Sequence, residues 1–144
     1  MSLQDKLFNF RNEKINAEKE QGRKFLEENK KQDDVVELPD GIQYRIIRNA
    51  DGPRPAASST IKAHYKGKLL NGKEFDSSYR RNQPFTAPLK ALIQGWQEVI
   101  PLMPLGSIYQ IWLPSEKAYG DRGAGSNIPG GATLEFEIEL LEIV

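Results

Sequence analysis

The apolar positions of this chain fall into two regimes. Up to about residue 33 they are sparse and helically spaced: Leu3, Phe10 and Ala17 stand seven apart, as do Phe8 and Ile15. They lie in "LQDKLFNFRNEKINAEKEQGRKFLEENKK", which is rich in helix formers and has one glycine, Gly22, and no proline. The pattern predicts one long helix with a weak apolar stripe. At ~1.5 Å per residue a helix of about 30 residues would run about 45 Å, and such a helix rarely stands in water without a partner. Two readings stay open: a solvated helix docking lightly on the domain that follows, or a fragment of a dimerisation arm.

From Leu38 onward the period is two. "GIQYRII" puts Ile42, Tyr44 and Ile46 on one face. "TIKAHYKGKLL" puts Ile61, Ala63, Tyr65 and Leu69 on one face and Lys62, His64, Lys66 and Lys68 on the other. Asn71-Gly72 reads as a tight hairpin turn. "GSIYQIWLP" is a further strand, and "ATLEFEIELLEIV" alternates most clearly, with Leu134, Phe136, Ile138 and Leu140 set against Glu135, Glu137 and Glu139. Between the strands, "ALIQGWQEVIPLM" carries Leu92, Trp96, Val99, Ile100 and Met103 at helical spacing between Pro88 and Pro101, which predicts one brief helix packed on the sheet. Residues 49–60 read as a turn-rich loop. The expected architecture is α+β: an antiparallel sheet with one buried face and a short helix (35–144), preceded by a helical segment (1–34).

Composition removes several function classes. The chain has 144 residues, enough for one domain with a real core. Its 20 basic and 20 acidic residues balance, so there is no electrostatic footprint for nucleic acid or an anionic membrane. There is no cysteine, hence no disulfide, thiolate ligand or cysteine nucleophile. No apolar run approaches the ~20 residues that span a bilayer, and the charged N-terminus does not read as a secretory leader.

The chemistry-bearing residues look at first like a hydrolase. "KEFDSSY" sets Asp76 beside Ser77 and Ser78, with the only histidine, His64, a little upstream. Residue types alone do not make a triad, however. His64 stands on the lysine-bearing face of its strand, where exposure is expected, and there is no G-x-S-x-G elbow. One histidine and scattered carboxylates do not predict a metal site. "GDRGAGSNIPGG" lacks the Gly-Lys-Ser/Thr ending of a phosphate loop and reads as a long mobile surface loop. The aromatic residues are more informative. Core packing is the plain reading for any one of them, and it is kept for Tyr44, Tyr109 and Trp112. Tyr65, Phe75, Phe85, Trp96, Tyr119 and Phe136 fall at strand and loop junctions, a set that together suits a concave apolar pocket with a few polar groups.

Four blocks in order, "AHYKGKLLNGKEFDSSYRRNQPF", "LIQGWQEVIPLMPLGS", "EKAYGDRGAG" and "IPGGATLEFEIELLEI", resemble the FKBP-type peptidyl-prolyl cis/trans isomerases over about residues 41–144. "QGRKFLEENKK" followed by "LPDGIQYRII" is similar to the helix-to-domain junction of bacterial Mip-like and FkpA-like members, in which a longer N-terminal helical region makes a dimer. The resemblance implies a strongly twisted antiparallel sheet wrapped around the short helix, with a ligand pocket between them. It implies that Tyr65, Asp76 and Tyr119 are the catalytic groups, and that Phe75, Phe85, Leu92, Ile93, Trp96, Ile128 and Phe136 bind substrate, with Trp96 as the floor. The Ile93 N–H and the Tyr119 hydroxyl would donate to ligand carbonyls. Asp76 then becomes a fixed acceptor at the pocket edge, bonded to the hydroxyl of Tyr65 or Tyr119, while Ser77 and Ser78 become turn residues.

The implied reaction is rotation about X-Pro bonds in folding proteins, which makes and breaks no covalent bond and calls for no cofactor. The alternative is a chaperone or peptide-binding module of the same fold with little turnover. The implied partners are unfolded, proline-containing polypeptides, macrolide inhibitors, and a second copy through the N-terminal helix. The bacterial cell envelope or periplasm is favoured if a leader once preceded "MSL", with the cytoplasm as alternative. The chain departs from the family pattern at Ala87, Leu92, Ala124 and Gly130-Gly131, expected to cluster at the pocket rim and to bear on inhibitor affinity and on the preference for the residue before proline.

Overall fold

A computed structural model describes residues 2–144. Helix α1 (Leu3–Asn29) is opened by a capping box: the Ser2 side chain accepts from the Asp5 N–H at 3.1 Å, and the Asp5 carboxylate accepts from the Ser2 N–H at 3.3 Å. The expected stripe docks only in part: Ile15, seven residues from Phe8, is seated, while Phe8 and the line of Leu3 and Phe10 are not. The buried residues are Ile15, Gly22 and Asn29, also seven apart, whereas Leu3, Leu7, Phe8 and Phe10 are exposed. The reason is close approach. A Cβ on Gly22 would collide with the Thr133 side chain, so glycine lets the helix backbone lie directly on the domain. From Ile15 onward α1 is seated; the apolar residues before it, Leu3, Leu7, Phe8 and Phe10, stand in solvent.

Seven strands follow: β1 (Val36–Glu37), β2 (Gln43–Arg48), β3 (Thr60–Leu69), β4 (Glu74–Ser77), β5 (Phe85–Pro88), β6 (Ile108–Leu113) and β7 (Leu134–Ile143). They form one antiparallel sheet in the order β1-β2-β6-β7-β3-β4, with β5 also pairing with β3. Strand β3 is the pivot. Its register shifts at Lys62/Ala63 against β7 and at Gly67/Lys68 against β4. The bulges bend the strand, so that β5 pairs with its first half and β4 with its second. The β3–β4 hairpin differs from the expected tight turn. The Gly72 N–H donates to Leu69 O at 3.0 Å, and Leu69 N–H to Lys73 O at 2.9 Å, so Leu70, Asn71 and Gly72 form a three-residue loop with Gly72 at φ 91°.

Helix α2 (Gln94–Val99), continued by a short 3₁₀ turn over Ile100–Leu102, packs on the concave face. Val99, Ile100 and Met103 join Ile61, Ala63, Ile111, Leu113, Leu134, Ile138 and Leu140 in a single core, and Trp96 and Phe136 belong to it too. The alternation expected for β7 is fully realised, with Leu134, Phe136, Ile138 and Leu140 buried.

On β2 the expected alternation fails in two places. Ile46 is exposed. Gln43 is fully buried, because its side chain accepts from Asn29 Nδ2 at 2.9 Å and donates to the Leu26 carbonyl at 2.9 Å and to Glu37 at 3.1 Å. Trp112 sits beside Gln43 in the sheet register. It is buried as expected, though on the face turned to α1 rather than in the main core, with Arg45 over its ring at 5.4 Å. Among the described residues no helix is long and apolar enough to cross a membrane.

Candidate functional site

Between α2 and the concave face of the sheet lies a cavity of about 410 Å³ lined by Tyr65, Phe75, Asp76, Phe85, Ala91, Leu92, Ile93, Trp96, Tyr119 and Phe136. Each element contributes a wall for a local reason. The bend in β3 turns Tyr65 inward, and the β4 hairpin brings Phe75 and Asp76 over it. Gly67 makes room: a Cβ there would lie 2.5 Å from the Phe75 ring and 2.8 Å from the Phe136 ring. These two rings meet edge to face, centroids 5.7 Å apart. Trp96, at the first turn of α2, is 5% exposed and touches three walls. It lies edge-on to Tyr65 (5.2 Å) and Phe136 (5.1 Å) and tilted to Phe85 (5.5 Å). Its indole N–H is buried without an acceptor among the described residues. Ile93 is the N-cap of α2, where the backbone N–H has no intrahelical acceptor.

The polar groups gather on one side. The Tyr65 hydroxyl donates to one oxygen of Asp76, the Arg81 guanidinium donates to the other, and the Ser77 N–H also donates to that second oxygen at 2.9 Å. Burial pushes the Asp76 carboxyl up, but the hydrogen bonds from Tyr65 and Arg81 outweigh it and hold the group below the usual carboxylate range. Burial raises the Tyr65 hydroxyl, and the bond to Asp76 raises it further. Tyr119 stands across the mouth, 38% exposed, its hydroxyl without a hydrogen bond among the described residues. Burial and the Asp76 charge push its pKa up, so it is a neutral donor.

All the expected site residues but Ile128 meet in this cavity. Ile128 is buried in the core, its backbone paired with Ala124 across the 120–131 loop. That loop carries more fixed contacts than the expected free surface loop: besides this bridge, the Gly131 N–H donates to Gly120 O at 2.9 Å. Gly130-Gly131 do not stand at the rim; they face α1. Ala91 and Arg81 were not anticipated. Ala91 carries no chemical signal. Arg81, five residues after Asp76 and within the turn that follows β4, was legible only as one more charge.

Nor do His64, Ser78 and Asp76 form a triad. His64 is stacked on Tyr79 at 4.5 Å on the outer face, with Nδ1 2.8 Å from the Ser78 hydroxyl. That hydroxyl is buried against the Tyr65 backbone, accepting its N–H at 2.7 Å and lying 3.1 Å from its carbonyl. Asp76 is held on the cavity side by Tyr65 and Arg81. Ser78 therefore fixes the backbone of a pocket residue, a larger task than the turn position expected of it.

Comparison with known proteins adds to this geometry. Residues 52–141 match the model of the FKBP-type peptidyl-prolyl cis-trans isomerases, and residues 1–46 match that of the domain amino terminal to FKBP-type peptidyl-prolyl isomerase. The chain is 44% identical over 134 residues to an FKBP-type 22 kDa peptidyl-prolyl cis-trans isomerase of Escherichia coli, covering 93% of this chain and 65% of that protein. It is 41% identical over 128 residues to the peptidyl-prolyl cis-trans isomerase Mip of Coxiella burnetii, covering 89% of this chain and 55% of the relative. The crystal structure of FkpA from Escherichia coli superposes with a TM-score of 0.89 at 32% identity, over 94% of this chain and 63% of that one. The chain thus spans 65% or less of the length of these three proteins.

Proposed function

The chain belongs to the FKBP-type peptidyl-prolyl cis-trans isomerase family, and from that premise we propose that it catalyses cis/trans rotation about X-Pro bonds in unfolded or partly folded polypeptides. The observation that carries this reading is the pairing of an aromatic cavity floored by Trp96 with polar groups on one side only, Asp76 held by Tyr65 and the free hydroxyl of Tyr119.

The reaction sets modest demands. An X-Pro bond rotates slowly because rotation breaks amide resonance, at a barrier of ~18–20 kcal/mol. The planar amide is conjugated and well hydrated; the twisted one has lost resonance and carries its charge differently. A proline ring seated on Trp96 between Tyr65, Phe85 and Phe136 is stripped of water, which favours the less conjugated form. Donors at the mouth, the Ile93 N–H and the Tyr119 hydroxyl, hold the neighbouring carbonyls so that one side of the bond is fixed while the other turns. Interactions stronger in the twisted geometry than in the planar one lower the barrier, and each tenfold gain requires about 1.4 kcal/mol. Asp76 is an ionised acceptor that orients Tyr65 and stands near the substrate; it transfers no proton in this scheme.

In the same reading, residues 35–144 are the isomerase domain, and its cavity admits macrolide inhibitors. Residues 1–34 are an arm for a second copy, supported by the exposed Leu3, Leu7 and Phe10 on the unseated half of α1. Sedimentation of the chain and of a Leu7→Glu, Phe10→Glu variant tests the arm. Acceleration of cis/trans exchange in a proline peptide tests the isomerase.

A further inference from the structure

Ile15 is buried although it lies near the half of α1 that is otherwise in solvent. What covers it is the end of the glycine-rich loop. A Cβ on Gly131 would lie 2.6 Å from the Ile15 carbonyl oxygen and 3.1 Å from Lys19 Cγ, and one on Gly130 would lie 3.2 Å from Ile15 Cγ1. Gly131 also has a φ of 82°, which side-chain-bearing residues rarely adopt. The glycine pair is therefore what lets the helix backbone and the loop touch. The contact continues toward the cavity. The Gly131 N–H donates to Gly120 O at 2.9 Å, the Gly123 N–H to Tyr119 O at 3.1 Å, and Ala124 and Ile128 exchange bonds of 2.9 and 3.1 Å between them. Residues 119–131 thus form a closed loop with Gly131 against the helix at one end and Tyr119 at the cavity mouth at the other. Lys19 Nζ adds an ion pair to Asp121 at 2.7 Å, but both partners are well exposed and the pair contributes little.

We propose that α1 braces the 119–131 loop, and that Ile15 is a positioning residue that sets where Tyr119 stands at the substrate mouth. The Tyr119 hydroxyl has no hydrogen bond of its own among the described residues, so its place depends on the backbone that carries it. Ile15 acts through Gly131 and Gly120 and does not line the cavity. The inference rests on the isomerase reading for its effect on substrate, while the brace itself is independent of it.

The test uses the full chain, with Ile15→Ser as the disruptive variant, Ile15→Val as the conservative one, and Lys24→Ser as a control on an exposed helix position. Two quantities are read: amide hydrogen exchange in peptides from 119–131 and from β7, and KM and kcat for a proline peptide. In Ile15→Ser, exchange across 119–131 is expected to rise about tenfold or more while β7 stays unchanged. KM is expected to rise about threefold or more with kcat within about twofold, the signature of lost binding common to ground and transition states. Ile15→Val restores both quantities, and Lys24→Ser changes neither. Unchanged exchange in 119–131, or an equal rise in β7, overturns the brace; raised exchange with unchanged KM overturns the positioning of Tyr119. If the parent chain shows no isomerase activity, the isomerase reading falls, and the exchange data still decide the brace. Should Ile15→Ser fail to fold, Ile15→Ala is read by the same measures.

Discussion

The Tyr65 hydroxyl donates to Asp76 inside the cavity, and Arg81 closes the other side of the same carboxylate. This arrangement makes Asp76 an acceptor fixed in place. Replacing it with valine or leucine is expected to lower kcat/KM about tenfold, or ~1.4 kcal/mol, without abolishing turnover. Peptide isomerisation kinetics check this. A loss as large as that from removing a covalent nucleophile would contradict the role assigned here.

The pH behaviour follows from the same carboxylate. Its folded-state pKa lies below its ordinary value, because the bonds from Tyr65 and Arg81 outweigh the cost of burial. As pH falls, the unfolded chain therefore takes up the proton first, near ~3.9. The stability Asp76 contributes is complete above about pH 4 and is lost as pH drops through the lower folded value. The urea midpoint should fall between about pH 7 and about pH 3 by less in Asp76→Asn than in the parent. Tyr65 and Tyr119 are raised and stay protonated, so kcat/KM is expected to be flat from about pH 5 to about pH 9.

Trp96 should report the ligand directly. It lies in the cavity, whereas the only other tryptophan, Trp112, is buried on the far face of the sheet with its N–H on Glu135 at 3.0 Å. Binding of a proline ligand is expected to change the emission of the parent and of Trp112→Phe equally. Trp96→Phe should lose that change and bind about tenfold or more weakly, or ~1.4 kcal/mol. Normal affinity in Trp96→Phe and in Trp96→Ala would disprove the floor assignment.

At Gly67 two walls of the pocket approach the backbone closely. In Gly67→Ala the new methyl meets Phe75 and Phe136, and the expected cost is about 1–3 kcal/mol of stability, measured by urea unfolding. Ligand affinity should fall as well, because the two rings must part.

How much of this was legible in the sequence depended on whether a residue acts through its own strand or through tertiary approach. The alternation of β7 was readable because each inward residue packs on one continuous core. The cavity residues were readable through the family blocks, with Ile128 the exception, since the loop folds its side chain into the core. Periodicity misassigned Ile46, which stands exposed, and Gln43, because α1 covers that part of β2 and seats itself there through Gly22 and Asn29. Hydropathy has no way to mark a glycine that permits contact or an asparagine that completes a buried network. Gly130-Gly131 were missed likewise: their meaning is the helix that passes over them.

The central claim is catalysis of X-Pro rotation, and NMR exchange spectroscopy on an Ala-Leu-Pro-Phe peptide tests it most directly. Uncatalysed exchange takes tens to hundreds of seconds. With micromolar protein present, the exchange rate is expected to rise at least about tenfold, a barrier reduction of ~1.4 kcal/mol, and to fall back toward the uncatalysed value when a cavity ligand is added. An exchange rate unchanged by the protein would contradict the account and leave the cavity a binding site without turnover.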